Sequence, residues 1–221
     1  MRRLPILKHS TTITVLTLLA ACSSATSRSA TPGPAGATRS PAELARANNG
    51  KPPYTAADVR FMQGMIGHHA QAVLMAGWAQ SHGARSDVQV LAQRIDVAQR
   101  DEIALMQRWL SERGEQVPEA MAHYGHAMHM PGMAMPELMP GMLTQEQLAQ
   151  LDSAKGPDFD RLFLTFMIRH HQGAITMVEQ LFASPGAGQD NIVYRFAADV
   201  NADQATEIDR MSRMLETIPS R

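Results

Sequence analysis

The chain of 221 residues contains a single cysteine, Cys22, so no disulfide can form within it. It lacks any apolar run of the roughly 18–20 residues that a membrane-spanning helix needs. It lacks a basic stripe: 20 Lys and Arg against 21 Asp and Glu leave a formal charge of −1, without the electrostatic footprint of nucleic-acid binding. Period-two alternation of apolar and polar residues is absent, which leaves no convincing strand. Neither a nucleophile–base set nor a glycine-rich phosphate cradle is evident, which counts against hydrolase and nucleotide-binding chemistry.

The amino-terminal residues have the pattern of an export signal. Arg2, Arg3 and Lys8 precede a short apolar run over residues 13–21, the order of a charged and then a hydrophobic region. The run ends Leu19-Ala20-Ala21-Cys22, which resembles a bacterial lipobox. That resemblance implies removal of residues 1–21 and lipidation of Cys22, hence an exported, membrane-anchored lipoprotein on the periplasmic or outer face of the envelope. A plain cleaved signal with an incidental cysteine is the alternative. Residues 22–53 are rich in Ser, Ala, Thr, Pro and Gly, the composition of a flexible tether. Residues 54–218 then suit one domain.

Within that domain the chain repeats itself. Asp58-Val-Arg-Phe61-Met62-Gln-Gly-Met65-Ile66-Gly-His68-His69-Ala-Gln-Ala72 returns as Asp160-Arg-Leu-Phe163-Leu164-Thr-Phe-Met167-Ile168-Arg-His170-His171-Gln-Gly-Ala174. A second echo sets Gln99-Arg-Asp-Glu102-Ile103 against Gln204-Ala-Thr-Glu207-Ile208. A duplicated helical hairpin is the simplest origin. Local signals place its helices. Thr55-Ala-Ala-Asp58 is a capping box opening a helix that runs to about Ser81. Ser86-Asp87 starts a second helix, which stops near Arg113-Gly114. Thr144 and Gln147 cap a short helix ending near Ser153. Gly156-Pro157-Asp158 opens a third long helix, ended by Ser184-Pro185-Gly186. A fourth runs from about Asp190 to Ile218. Four long helices with short turns inside each hairpin predict an all-α fold, an antiparallel four-helix bundle.

At about 100° per residue, His69 and His171 fall in the middle of the apolar faces of their helices, with His68 and His170 at the flank. Glu102 and Glu207 centre the apolar stripes of theirs, with Gln99 and Gln204 one turn away. Asp58 and Asp160 also project onto the central face. A carboxylate is seldom buried without a partner, so the repeated histidines are the candidate partners. Two readings stay open. His–Glu pairs can simply fix helix register, or His68, His69, Glu102, His170, His171 and Glu207 can ligate metal between facing helices. The Glu-x-x-His pair of di-iron proteins is replaced by Gln-x-x-Glu, which disfavours ferroxidase chemistry.

The connection between the hairpins, a Met/His-rich loop over residues 115–143, has a different chemistry. Residues 121–142 read MAHYGHAMHMPGMAMPELMPGM and hold seven of the sixteen Met and three of the nine His. The three Pro and three Gly of that stretch forbid a continuous helix. Thioethers are soft ligands that select Cu(I), and imidazole also suits copper. His123, His126, Met128, His129, Met130, Met133 and Met135 are therefore candidate copper donors, and silver is a second soft ion they would accept. A Met-rich flap that only covers the end of the bundle is the competing reading.

The doubled D-x-x-F-x-x-x-M-I-x-H-H-x-x-A frame, at residues 58–72 and 160–174, and the downstream Gln-x-x-Glu-Ile resemble the secreted DUF305 family over roughly residues 54–218. The resemblance implies a ferritin-like four-helix bundle. Some members look like copper-binding, copper-resistance proteins of the CopM type with Met and His ligands. The resulting expectation is an envelope lipoprotein binding copper as Cu(I), for sequestration or resistance, with a metal ion and the membrane as partners and no nucleic acid. A metal-dependent redox enzyme using the bundle interior, and a metal-free structural or interaction module, are the alternatives.

Overall fold

The computed structural model describes residues 53–119 and 138–218. Cys22, the signal and nearly all of the tether lie outside the described residues, as do His123, His126, Met128, His129, Met130, Met133 and Met135. Among the described residues there are five helices: α1 Ala56–Gly77, α2 Ser86–Ser111, α3 Gln145–Ser153, α4 Pro157–Ala183 and α5 Asn191–Glu216. Helices α1 and α2 form one antiparallel hairpin and α4 and α5 the other. The hairpins meet chiefly through α1 and α4, and α3 rests on α4.

The caps act as the sequence predicts. Thr55 accepts from the Ala57 and Asp58 amides while Asp58 accepts from the Thr55 amide, a complete capping box. Thr144 and Gln147 repeat the device on α3. Helix α1 stops earlier than its periodicity suggests. Trp78 and Ala79 bond back three residues, to Met75 and Ala76, so residues 78–83 finish as tight turns with Gly83 at φ 67°. That tightening lets His82 sit between Trp78 and Phe159 and donate from Nε2 to the Asp152 carbonyl at 2.7 Å, which joins the first hairpin's turn to α3.

The two aspartates of the repeat frame are reciprocal clamps between hairpins. Asp58 of α1 accepts from the Gly188 amide, in the turn before α5, at 2.7 Å. Asp160 of α4 accepts from the Arg85 amide, in the turn before α2, at 3.1 Å. Each helix start therefore holds the opposite hairpin's turn, which explains why an aspartate repeats at a buried position. A further polar clasp closes one end of the bundle. Asp190 caps α5, accepts from Trp109 Nε1 at 3.2 Å and pairs with Arg113 at 2.5 Å. The Arg113 guanidinium lies 4.3 Å from the Trp109 ring centre, so this buried charge pair has both hydrogen bonds and a cation–π contact to offset its desolvation.

The apolar core is split in two. One cluster gathers Met75, Leu91, Ile95, Phe159, Phe163 and Met211. The other gathers Phe61, Met65, Trp109, Met177, Phe196 and Val200. The repeated His-His dipeptides fall between these halves in the sequence of α1 and α4, so these two helices carry a polar layer across the middle of the core.

Candidate metal centre: the histidine layer

His68, His69, His170 and His171 are all fully buried. The layer resolves into three pairs. His68 and His170, from α1 and α4, lie ring against ring with centroids 3.8 Å apart and planes 35° apart. His171 Nε2 donates to Glu207 Oε2 at 2.6 Å. His69 Nε2 lies 2.7 Å from Glu102 Oε2, although its N–H direction misses the oxygen. Both carboxylates are 24% exposed, so neither occupies the centre of an apolar stripe as the angular map predicts. Two methylenes let each glutamate hold an imidazole with one oxygen while its carboxylate reaches water at the bundle surface. That avoids the cost of a wholly buried charge.

The electrostatics of the layer follow from burial. Desolvation, the neighbouring His69 and, less strongly, His171 push the His68 pKa down to about 3, against a smaller opposing effect from its hydrogen bond to Pro140. His170 is likewise held well below its ordinary value, first by burial and then by His68, His171 and His69. Both imidazoles are neutral at neutral pH and keep a lone pair. His68 Nε2 donates to the Pro140 carbonyl at 3.0 Å, which fixes the tautomer and leaves Nδ1 as the lone-pair nitrogen. That Nδ1 has no hydrogen-bond partner, and the His170 ring has only the His68 backbone near it, without a bond of good geometry. Gln99 Oε1 and Gln204 Oε1 are also buried and unpartnered. An orphaned buried acceptor costs about 1–3 kcal/mol, so several in one layer call for an ion, a water or a function. Toward solvent, acids crowd together: partial burial and then Glu102, Asp199 and Glu207 raise the Asp203 pKa, which marks an electronegative rim between α2 and α5.

The sequence does not announce how the interhelical connection returns to this layer. Residues 139–143 form a strap across α1 and α4. Gln71 holds it twice, donating from Nε2 to the Leu143 carbonyl at 3.1 Å and accepting from the Leu143 amide at 2.8 Å. The strap lies directly on α4 at Gly173: a Cβ there would stand 1.9 Å from the Pro140 oxygen. Over α1, the Met139 sulfur occupies the space above Gly64, 3.1 Å from where a Cβ would be, beside the Met177 methyl at 3.4 Å. The signal for this was present as a break in the repeat. Gly173 stands where the first copy has Gln71, and Gly64 stands where the second has Phe166.

Among the described residues, no three His, Cys, Asp or Glu side chains are placed to hold a metal ion together. The six candidate ligands of the bundle are thus brought into one layer but not onto one point. This donor set does not fit a carboxylate-bridged centre. Its unpartnered lone pairs belong to imidazoles and to two amide oxygens, and the Met139 and Met177 side chains lie over Gly64, one turn from His68.

The DUF305 model, a domain of unknown function, matches residues 58–215. The chain belongs to the DUF305 family. No curated protein matches the sequence. Among solved structures, a DUF305 fragment from Deinococcus radiodurans is similar at 30% identity, over 75% of this chain and 99% of that one, with a TM-score of 0.61. CopM in its Cu(II)-bound form is similar at 27% identity, over 72% of this chain and 95% of that one, with a TM-score of 0.55. Its Cu(I)-bound form gives 25% identity over the same shares, with a TM-score of 0.53. The fold is the ferritin-like helical bundle of these DUF305 relatives.

Proposed function

We propose that this DUF305 protein is an exported lipoprotein, anchored through Cys22, that binds copper as Cu(I) and limits free metal outside the cytoplasm. The observation that carries the reading is the close ring pair of His68 and His170. It is fully buried, neutral and short of hydrogen-bond partners, and the return of the Met/His-rich connection lies on top of it. Three things support it further. The connection is dense in thioethers and imidazoles, donors that favour Cu(I) without having to lose a proton. The acidic rim around Asp203 favours a cation over an anion. CopM, a relative of similar fold, has been solved with copper in both oxidation states.

A structural role suits the His69–Glu102 and His171–Glu207 pairs, which fix the register of each hairpin with partners of their own. The proposal therefore places the first donors for copper in the connection and in the His68–His170 pair. Exchanging Met128, Met130, Met133 and Met135 for Leu keeps bulk and apolarity but removes sulfur. The variant should fold as the wild type does, and its Cu(I) affinity, measured against a chromogenic chelator under reducing conditions, should fall by at least tenfold. Unchanged affinity would reduce the connection to a flap.

A further inference from the structure

The duplication supplies its own control for what a hairpin turn needs. Asp58, at the start of α1, holds the α4–α5 turn, and Asp160, at the start of α4, holds the α1–α2 turn. The two turns therefore lie at opposite ends of the bundle. In the register of the repeat, Phe182, Ile192 and Tyr194 of the second hairpin stand where the first has Gln80, Asp87 and Gln89. The fold accepts polar side chains at all three places, yet the α4–α5 end displays apolar ones, exposed by 44%, 42% and 56%. The Phe182 and Tyr194 rings meet edge to face with centroids 5.8 Å apart. Phe182 is laid over Gly188, where a Cβ would stand 2.8 Å from its ring. Ile192 sits in the first turn of α5 at the same end. The one acid of this turn, Asp190, is buried against Arg113.

The chain also enters the bundle at this end. Thr55, which caps α1, lies beside the turn: a Cβ on Gly186 would stand 3.7 Å from its Cγ2. Residues 22–53 connect Cys22 to this point, and a Ser- and Gly-rich chain of about 30 residues spans about 30 Å on average. A lipid on Cys22 would thus keep the aromatic turn near a bilayer, with the polar turn a helix length further out. At so short a range, a contact too weak to recruit the bundle from solution is enough to orient it. Tyr194 joins an apolar ring to a polar tip, the combination favoured at the level of lipid headgroups.

We propose that the α4–α5 turn docks the bundle, through Phe182, Ile192 and Tyr194, on the bilayer that holds the lipid of Cys22. The proposal rests on the lipoprotein reading and is independent of the copper one. Glu179 and Arg195 are the nearest exposed charges along α4 and α5. They are of opposite sign, so the contact is apolar and needs no anionic lipid. The histidine layer and the strap, midway along the helices, stay clear of the membrane.

The test uses the full lipidated chain in phosphatidylcholine nanodiscs that carry a paramagnetic headgroup. Methyl NMR compares Ala183, exposed beside the patch, with Val90, an exposed valine near the start of α2. The Ala183 signal should broaden by about threefold or more beyond that of Val90, as contact at one end of the bundle requires. Exchanging the three residues for those of the other turn, Phe182→Gln, Ile192→Asp and Tyr194→Gln, should leave circular dichroism unchanged and reduce that ratio at least twofold. Equal broadening of the two methyls in the wild type would overturn the docking, whatever the variant does. A ratio that survives the three exchanges would show that the tether alone orients the bundle, and would also overturn it. So would a wild-type dimer in detergent that the exchanges dissolve, since the patch would then belong to a second copy. Mass spectrometry showing no lipid on Cys22 would overturn the lipoprotein reading itself, and the docking with it.

Discussion

Gly173→Ala is the sharpest perturbation of the strap. Inside a helix, Gly to Ala ordinarily stabilises by about 1 kcal/mol. Here the added Cβ would stand 1.9 Å from the Pro140 oxygen, 2.3 Å from its carbonyl carbon and 2.6 Å from the Gly141 Cα. Those atoms are backbone, so no side-chain rotation relieves the clash and the strap must lift. Lifting breaks the His68–Pro140 hydrogen bond and both Gln71–Leu143 bonds. At roughly 0.5–1.5 kcal/mol each, and after the helical gain of about 1 kcal/mol, the net loss is about 0.5–3.5 kcal/mol. Gly77, whose added Cβ would meet nothing within 4 Å, is the control: Gly77→Ala should be neutral or stabilising. Urea unfolding followed by circular dichroism reads both. For a domain of this size about 2 kcal/mol corresponds to roughly 4–8 °C in melting temperature. A Gly173→Ala protein as stable as wild type would show that the strap is not seated on α4.

Other predictions test the layer and the clamps. Glu207→Ala leaves His171 buried with neither ring nitrogen bonded and should cost about 1–3 kcal/mol in the same urea assay; a change indistinguishable from zero would mean that water replaces the carboxylate without loss. Asp58→Ala removes both a capping box and the bond to Gly188 and should cost about 1–3 kcal/mol, whereas Asp160→Ala removes only the bond to Arg85 and should cost less; the reverse order of urea midpoints would contradict the clamp assignment. His68 has a folded pKa of about 3 against an ordinary 6.5, so between these values the unfolded chain binds more protons than the folded one. Stability should therefore fall as pH drops below about 6.5, by up to about 1.4 kcal/mol per pH unit for a group so depressed, and NMR should show the His68 ring still neutral at pH 5.

Much of the architecture was written in local chemistry. Capping boxes at Thr55 and Thr144, Pro157 at a helix start and glycines at helix ends act through residues only a few positions apart, so each helix except the end of α1 was legible. The pairing of His171 with Glu207 was legible because burying imidazoles and carboxylates on facing stripes demands partners. The partial exposure of Glu102 and Glu207 was not, because an angular map locates the Cβ and not the end of a flexible side chain. The role of Asp58 and Asp160 was hidden for another reason: their partners are backbone amides of Gly188 and Arg85, which carry no sequence signature. The strap was least visible, since it depends on a backbone passing over Gly173, a contact that registers in the sequence only as a missing side chain in one copy of the repeat.

The central claim is that this DUF305 protein binds copper. Metal content measured on the full chain purified from cells grown with supplemental copper tests it most directly. The account predicts about one or more copper ions per chain, with sulfur among the ligands by X-ray absorption and little zinc or iron. Copper no higher than in an unrelated exported protein prepared alongside would contradict it.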